Sequence, residues 1–339
     1  MAIERNPILR KIDWAEGSKP LPNLPYEINV EILLRLPVKS LLRFRLLETT
    51  DFHRDFKSCS IPSIMRHEQS DTAASVDWPF VESPNRFWIE GSCDGLVCLH
   101  TGKKKTIFLW NPSTKKYRKL PSITIPYDWS PGCGLGYDSF TDDYKVVLVL
   151  NGGSNRDYHL NKVAVYTLRA DSWRRIADFP HSIIMAGKGK FVSGALHWTV
   201  SDGSSKLIVS LDLAKETYGE VSQPDYNRDG GLLSTMDVLS GYLCMLCKYP
   251  RAHVDLWVMK EYGKTESWTK LVAIHDVTHP LYGEYFTLWC ILNNGDILLV
   301  VKESLVRYSP NDGTFSYLKI HGFFPYCNAY PYIESLVSP

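Results

Sequence analysis

The sequence lacks any long hydrophobic run, and its longest apolar stretches lie near Val146–Leu150 and Ile297–Val301. A membrane-spanning helix needs ~20 apolar residues, so we expect no membrane partner. A charge excess is also missing, since 38 basic and 37 acidic side chains leave a formal net charge of +1. That balance argues against a nucleic-acid partner, which normally requires a basic excess.

The N-terminal residues lack the apolar core of a signal peptide, and no Asn-x-Ser/Thr acceptor site occurs. The eight cysteines are too thinly spread for a disulfide framework. These features predict an intracellular protein with reduced thiols, located in the cytoplasm, the nucleus or both.

One cysteine pair, Cys244-Met-Leu-Cys247, has the spacing of zinc and redox sites. A zinc site needs two further ligands, usually a second close pair, and the sequence offers only the isolated His253 and Cys290. The pair lies in a strand-like run, where residues three apart point to opposite faces. We interpret both as core cysteines and predict no metal or cofactor.

Catalytic patterns are missing as well, since there is no His-Glu-x-x-His and no Gly-x-Ser-x-Gly. The run Gly132–Gly136 has no helix after it, so we interpret it as a turn and not as a phosphate-binding loop. The adjacent carboxylates of Asp142 and Asp143 are expected to be solvated on a polar turn. The sequence therefore predicts a protein that is not an enzyme.

Seven positive charges fall within the seventeen residues from Lys103 to Lys119. They favour a solvated turn and strand edge, where lysine discourages pairing with other chains. The alternative is a basic rim that attracts an acidic partner.

Aromatic residues are abundant, with 10 Trp, 19 Tyr and 13 Phe, and Gly and Pro are frequent. Aromatics favour strands and Gly and Pro favour turns, so the composition indicates many short strands. From residue 88 onward a strand, a polar turn and a second strand recur, with hairpins starting at Trp110, Val165, Leu211, Leu256 and Val306. Four strands in every 45–55 residues is typical of a β-propeller blade.

Five such units are visible from residue 88 onward. The spacing leaves open whether residues 77–90 and 321–333 complete a sixth.

Residues 24–57 follow a different pattern and predict short helices. Pro25 suits a first helical position, and Ile28, Ile32, Leu33 and Leu36 recur at helical spacing. So short a segment cannot bury this many apolar side chains on itself, so we expect another protein to cover them.

The run from Leu24 to Arg45 closely resembles the F-box of plant F-box proteins. The resemblance stops after Arg45, because the family continues with Val-Cys-Lys-x-Trp and this chain continues with Leu46-Leu-Glu-Thr-Thr-Asp51. Thr and Asp are good helix N-caps and poor helix interiors, so we expect any third helix to start late, near Asp51 or Phe52.

The strand-rich region resembles the F-box-associated domain, which is related to Kelch-type propellers. The phrases Ser92-Cys-Asp-Gly-Leu96, Trp110-Asn-Pro112, Gly134-Leu-Gly-Tyr-Asp138 and Gly194-Ala-Leu-His-Trp198 carry this resemblance. The predicted fold is thus a small all-α F-box followed by an all-β propeller-like domain. The predicted boundaries are a loose arm over 1–20, F-box helices over 21–57, a connector over 58–87 and the propeller over 88–333.

The resemblance implies the substrate-recognition subunit of a Skp-cullin-F-box type ubiquitin ligase. The F-box would dock on a Skp-type adaptor, and the propeller would hold a protein substrate that the sequence does not identify. Most of the expected adaptor-binding residues are apolar. They are Leu24, Pro25, Ile28, Ile32, Leu33, Leu36, Pro37, Val38, Leu41, Leu42 and Phe44, with Arg45 as a flanking polar contact.

Two alternatives remain at this point. The chain can be a stand-alone propeller that binds a protein and carries a degenerate F-box, or a propeller lectin or enzyme.

Overall fold

The computed structural model of the chain consists almost entirely of antiparallel strands in the part that it describes. That part comprises residues 44–50, 56–60, 74–76, 87–101, 106–123, 131–150, 161–181, 188–201, 206–225, 233–249, 253–275, 286–292, 294–301, 304–318 and 327–339. The strands form six four-stranded sheets. No helix among the described residues is long and apolar enough to span a membrane.

Five sheets are each built from four consecutive strands, and we call them blades 1 to 5. Their strands are β4 (Phe87–Cys93), β5 (Leu96–Thr101), β6 (Ile107–Asn111) and β7 (Lys116–Lys119) in blade 1; β8 (Pro131–Asp138), β9 (Asp143–Leu150), β10 (Lys162–Thr167) and β11 (Ser172–Arg175) in blade 2; β12 (Lys190–Val192), β13 (Ala195–Ser201), β14 (Lys206–Asp212) and β15 (Tyr218–Val221) in blade 3; β16 (Leu233–Leu239), β17 (Tyr242–Tyr249), β18 (His253–Met259) and β19 (Trp268–Ile274) in blade 4; and β20 (Phe286–Ile291), β21 (Ile297–Val301), β22 (Ser304–Ser309) and β23 (Thr314–Leu318) in blade 5. The five repeat units predicted from the sequence are confirmed.

The sixth sheet joins the two ends of the described chain, and we call it the closing blade. Its order is β24 (Cys327–Ile333), β1 (Phe44–Thr50), β2 (Phe56–Ser60) and β3 (Ala74–Val76). The C-terminal segment considered for a sixth unit therefore does enter one. Residues 77–90 add no described strand to it, because β4 belongs to blade 1.

The first strands of successive blades pack against one another, from β24 to β4, β8, β12, β16 and β20. These strands therefore surround the middle of the propeller. Consecutive residues of a strand enter different cores: Val146 packs between blades 1 and 2, whereas Val147 packs between blades 2 and 3. Because both faces of a blade are covered, the second part of β9, Val146–Leu150, is a continuous apolar run and does not alternate with polar residues.

The predicted helical region 21–57 is wrong over the residues that the structure describes. Residues 44–50 and 56–57 are strand, and β1 and β2 form an antiparallel hairpin in which Thr49 lies opposite Phe56. A late third helix from Asp51 or Phe52 therefore cannot include Phe56. The physical reason is non-local, since β1 pairs along its whole length with β24, more than 270 residues later in the chain.

The domain boundaries change accordingly. The predicted connector 58–87 contains the end of β2 and all of β3, so the β-sheet structure begins at Phe44 and not at residue 88. The loose arm 1–20 and residues 21–43 lie outside the described residues.

Candidate functional site

The predicted adaptor-binding residues fall almost entirely outside the described residues. Only two of the twelve, Phe44 and Arg45, lie within them, and both are in β1 of the closing blade. Phe44 lies opposite Ile333, and Arg45 lies between Tyr332 on one side and Ser60 on the other. These two residues therefore belong to a sheet, and not to a helix as predicted.

The Cys244 and Cys247 pair occupies β17, and the predicted opposite orientation is confirmed. Cys244 packs between blades 4 and 5, whereas Cys247 packs on the blade 3 side of the same strand. Burial raises the pKa of both thiols, that of Cys247 to about 12. Two buried, protonated thiols on opposite faces cannot share a metal ion.

The glycine run 132–136 is part of strand β8, so its interpretation as a turn is wrong. A Cβ on Gly134 would lie 2.9 Å from Leu196 Cδ2 and 3.2 Å from the Cα of Gly189. Glycine is needed at this position because blade 3 approaches the backbone of blade 2 there. The turn predicted to follow it lies between β8 and β9, as expected.

The two adjacent carboxylates have different environments. The side chain of Asp142 is 71% exposed, as predicted. Asp143 is 4% exposed and accepts hydrogen bonds from the backbone N–H groups of Tyr144 (2.8 Å) and Arg169 (3.1 Å), so the prediction is wrong there. Asp143 is the first residue of β9, and the hydrogen bonds of its carboxylate connect the β8–β9 turn to the β10–β11 turn.

A cleft of about 760 Å³ opens beside these carboxylates, where turns of blades 1 and 2 meet the last residues of the chain. It is lined by Asp94, Arg118, Tyr137, Asp142, Asp143, Tyr144, Leu168, Arg169, Val337, Ser338 and Pro339. We call it the turn-face cleft.

Its polar groups are held by mutual contacts. Arg169 Nη2 lies 2.7 Å from Asp142 Oδ2, and Nη1 donates to the carbonyl of Thr141 at 3.2 Å. Hydrogen bonds from Tyr137 first, and from Arg169 second, hold the pKa of Asp142 below its usual value. The Tyr144 hydroxyl donates to Asp94 at 3.2 Å. The cleft thus presents two aromatic rings and fixed charges of both signs.

The C-terminal residues are anchored at one end of the cleft. Asn111 is fully buried, and its Nδ2 donates to the carbonyls of Val337 (2.6 Å) and Ser335 (3.1 Å). Ser335 Oγ donates to the carbonyl of Asp94 at 2.6 Å. These contacts hold residues 335–337 against blade 1 through side-chain recognition of their carbonyls.

A second charged group lies among the innermost strands. Lys188 Nζ lies 4.0 Å from the centre of the Tyr330 ring in β24, and burial lowers the pKa of Lys188 to about 8. Lys190 pairs with Asp237 of blade 4 at 2.6 Å, and Glu90 of blade 1 with His100 at 2.7 Å. Sequence reasoning missed this group because its members come from separate blades and carry no local motif.

The basic residues fall into two sets. Lys103–Lys105 lie outside the described residues. Lys116 and Lys119 are exposed on β7, the outer edge strand of blade 1, which confirms the predicted strand edge. Arg118 instead donates to the carbonyl of Leu168 in the neighbouring blade at 3.1 Å.

No group of three or more His, Cys, Asp or Glu side chains within the described ranges is placed to hold a metal ion. Sheets packed in this order define a β-propeller protein. The fold is similar to TolB from Acinetobacter baumannii, with a TM-score of 0.51 and 10% identity over 89% of this chain and 69% of that chain. It is also similar to a chain of the nidogen/laminin complex, with a TM-score of 0.50 and 9% identity over 86% and 99% of the two chains.

Sequence comparisons identify the family to which the chain belongs. The profile of the F-box associated beta propeller domain matches residues 45–324, and the chain belongs to this family. It is 31% identical to the F-box/kelch-repeat protein At3g23880 of Arabidopsis thaliana, over 94% of this chain and 96% of that protein. It is 29% identical to the F-box protein CPR1 of Arabidopsis thaliana, over 75% and 73% of the two chains. The resemblance to plant F-box proteins is confirmed, and these relatives' names describe no enzyme.

Proposed function

We propose that this chain is the substrate-recognition subunit of a Skp-cullin-F-box type ubiquitin ligase. Its N-terminal apolar segment docks on the Skp-type adaptor, its propeller holds a protein substrate, and other subunits transfer ubiquitin. Membership of the F-box associated beta propeller family over residues 45–324 is the observation that carries this proposal. The chain acts without a cofactor, by raising the concentration of its substrate near the ligase, in the cytoplasm, the nucleus or both.

The turn-face cleft is the proposed place of substrate contact. It lies between two rigid blades, and it combines tyrosine and arginine, the residue types that most often dominate protein interfaces. Arg169 is the best single probe of the cleft, because its side chain is 64% exposed and its loss leaves no buried group unpaired.

The proposed adaptor contact is tested by changing Leu33 and Leu36 together to Asp in the full chain. Apolar anchors at an interface typically contribute about 2 kcal/mol or more each, so co-purification of the adaptor should be abolished. The β-rich circular dichroism of the propeller should be unchanged. Adaptor capture at the wild-type level would contradict the proposed interface.

The proposed substrate contact at the turn-face cleft is tested by Arg169→Ala, with Arg175→Ala as a matched control. Arg175 lies in the same blade, is 63% exposed and does not line the cleft. Affinity purification from plant cells followed by mass spectrometry should show proteins that Arg169→Ala loses and Arg175→Ala keeps, with adaptor capture equal in both. Identical protein sets from the two variants would place substrate contact elsewhere.

A second function is favoured by one observation, the position of Phe44 and Arg45 in a propeller strand. A chain whose F-box no longer engages the adaptor would be a stand-alone propeller that binds a protein partner. The two functions differ in adaptor co-purification, since the stand-alone propeller captures its partner without the adaptor.

A further inference from the structure

The closing blade depends on a strand that begins inside the F-box motif. All seven residues of β1 pair with β24, from Phe44 opposite Ile333 to Thr50 opposite Cys327. Residues 45–49 also pair with β2 on the other side. Because the F-box-like run ends at Arg45 and β1 starts at Phe44, no linker separates the two units.

The other partner in this pairing, β24, is held by contacts that do not involve β1. Tyr332 is 3% exposed and packs in a cluster with Trp110 and Val97 of blade 1. The carbonyl of Pro331 accepts a hydrogen bond from Ser92 Oγ at 3.1 Å, and the residues after β24 are anchored by Asn111. If the β1–β24 pairing opens, β1 is therefore the strand that leaves.

We propose that adaptor docking and closure of the propeller compete for the leading end of β1, residues 44–46. This inference rests on the proposed function and extends it: on docking, Phe44 and Arg45 leave β1 and take the helical form that the sequence predicts. When a helix ends at Arg45, the next residue has to turn the chain out of the helical path. Leu46 therefore leaves the sheet together with Phe44 and Arg45. Docking then costs the pairs of these residues with β24 and β2.

Such a linkage is reciprocal. The adaptor loosens the leading end of β1, and anything that tightens the closing blade weakens adaptor binding by the same factor. A partner bound to the propeller that stabilises the closed ring thereby changes the affinity for the adaptor.

Two native cysteines allow a direct test, because Cys59 lies opposite Leu46 and Cys327 lies opposite Thr50. Opposite residues of antiparallel strands have the Cα separation that a disulfide requires. Leu46→Cys in the full chain places a disulfide at the leading end of β1. Thr50→Cys places one at the far end of the same strand and is the matched control. Neither Leu46 nor Thr50 is among the proposed adaptor contacts.

Binding of the purified Skp-type adaptor is measured for both variants and for wild type, oxidised and reduced. Oxidised Leu46→Cys should bind about tenfold more weakly than its reduced form, a typical size for coupling between sites. The oxidised and reduced forms of Thr50→Cys and of wild type should bind equally. Equal binding by both forms of Leu46→Cys would overturn the competition, and equal losses in both variants would overturn its restriction to residues 44–46.

Hydrogen exchange provides a second measurement that needs no disulfide. Adding the adaptor to the wild-type chain should speed amide exchange at whichever of Tyr332 and Ile333 donates its N–H to β1, because alternate residues of an edge strand do so, and should leave residues 327–329 unchanged. Bound adaptor with no change at Tyr332 and Ile333 would overturn the inference and leave the proposed function standing. If no form of the chain binds the adaptor, the proposed function fails, and this inference fails with it.

Discussion

His197 shows how the propeller changes the chemistry of a single side chain. The ring is fully buried, with Nδ1 3.0 Å from the carbonyl of Lys190 and Nε2 2.8 Å from the Tyr262 hydroxyl. Burial disfavours the charged form and lowers the pKa of His197 to about 4, against an ordinary value of 6.5. The neutral ring thus links two strands of blade 3 to a tyrosine of blade 4.

This shift predicts a loss of stability in mild acid. The unfolded chain binds a proton at His197 below pH 6.5 whereas the folded chain does not until about pH 4, so the free energy of unfolding falls as pH falls through this window. The loss from this residue should reach about 3 kcal/mol at the acid end. Urea unfolding of wild type and His197→Gln at several pH values measures it. Parallel curves for the two proteins between pH 6.5 and pH 4.5 would contradict the assignment.

At the scale of elements, blades 1, 3 and 4 share a two-residue turn between their first and second strands. Asp94-Gly95, Ser193-Gly194 and Ser240-Gly241 all have positive φ at both positions, which is the type I′ hairpin turn. Only in the first of these turns would a Cβ added to the glycine meet another segment. A Cβ on Gly95 would lie 2.7 Å from the carbonyl of Ile333 and would collide with the hydroxyl of Ser335, whereas Gly194 and Gly241 have open space.

Gly→Ala variants of these turns separate backbone strain from contact with the C-terminal segment. All three glycines have φ between 81° and 86°, so alanine should cost each turn about 1 kcal/mol of strain. Gly95→Ala should cost clearly more than Gly194→Ala or Gly241→Ala, because it also displaces the segment after β24. Thermal unfolding of the three variants checks this. Three equal melting temperatures would mean that the C-terminal contacts contribute nothing to stability.

At the scale of the whole molecule, the closing blade joins strands from the two ends of the described chain. Deleting residues 1–43 leaves β1 intact, whereas deleting residues 1–50 removes the strand between β24 and β2. The shorter deletion should therefore keep the cooperative unfolding of the propeller. The longer deletion should lower the melting temperature substantially and speed hydrogen exchange in 327–333, because an unpaired edge replaces a central strand. Indistinguishable unfolding of the two deletions would contradict closure by β1.

The sequence predicted the five blades well because each is a local unit. A hairpin such as Trp110–Leu120 carries its own turn residues and strand formers, and the repeat shows its period without any tertiary information. The same local reading was wrong at Leu46–Thr50, where residues unsuited to a helix interior were interpreted without the distant strand that pairs with them. It was also wrong at Gly132–Gly136, where glycine serves close packing between blades and not a turn.

By itself, then, the sequence determined the strand-rich class, the blade period and the likeness to F-box proteins. It also determined that Cys244 and Cys247 point to opposite faces. All of these properties depend on residue type and spacing along one stretch of chain. Tertiary structure alone decided which strand closes the propeller and which charged side chains form ion pairs. Lys145 illustrates the second point, since it is 4% exposed and pairs with Asp138 at 2.9 Å in its own blade and with Glu216 of blade 3 at 3.0 Å. The turn-face cleft and the closing blade likewise combine residues that are distant in sequence. Contacts of this kind form only when whole blades pack, so no local pattern could predict them.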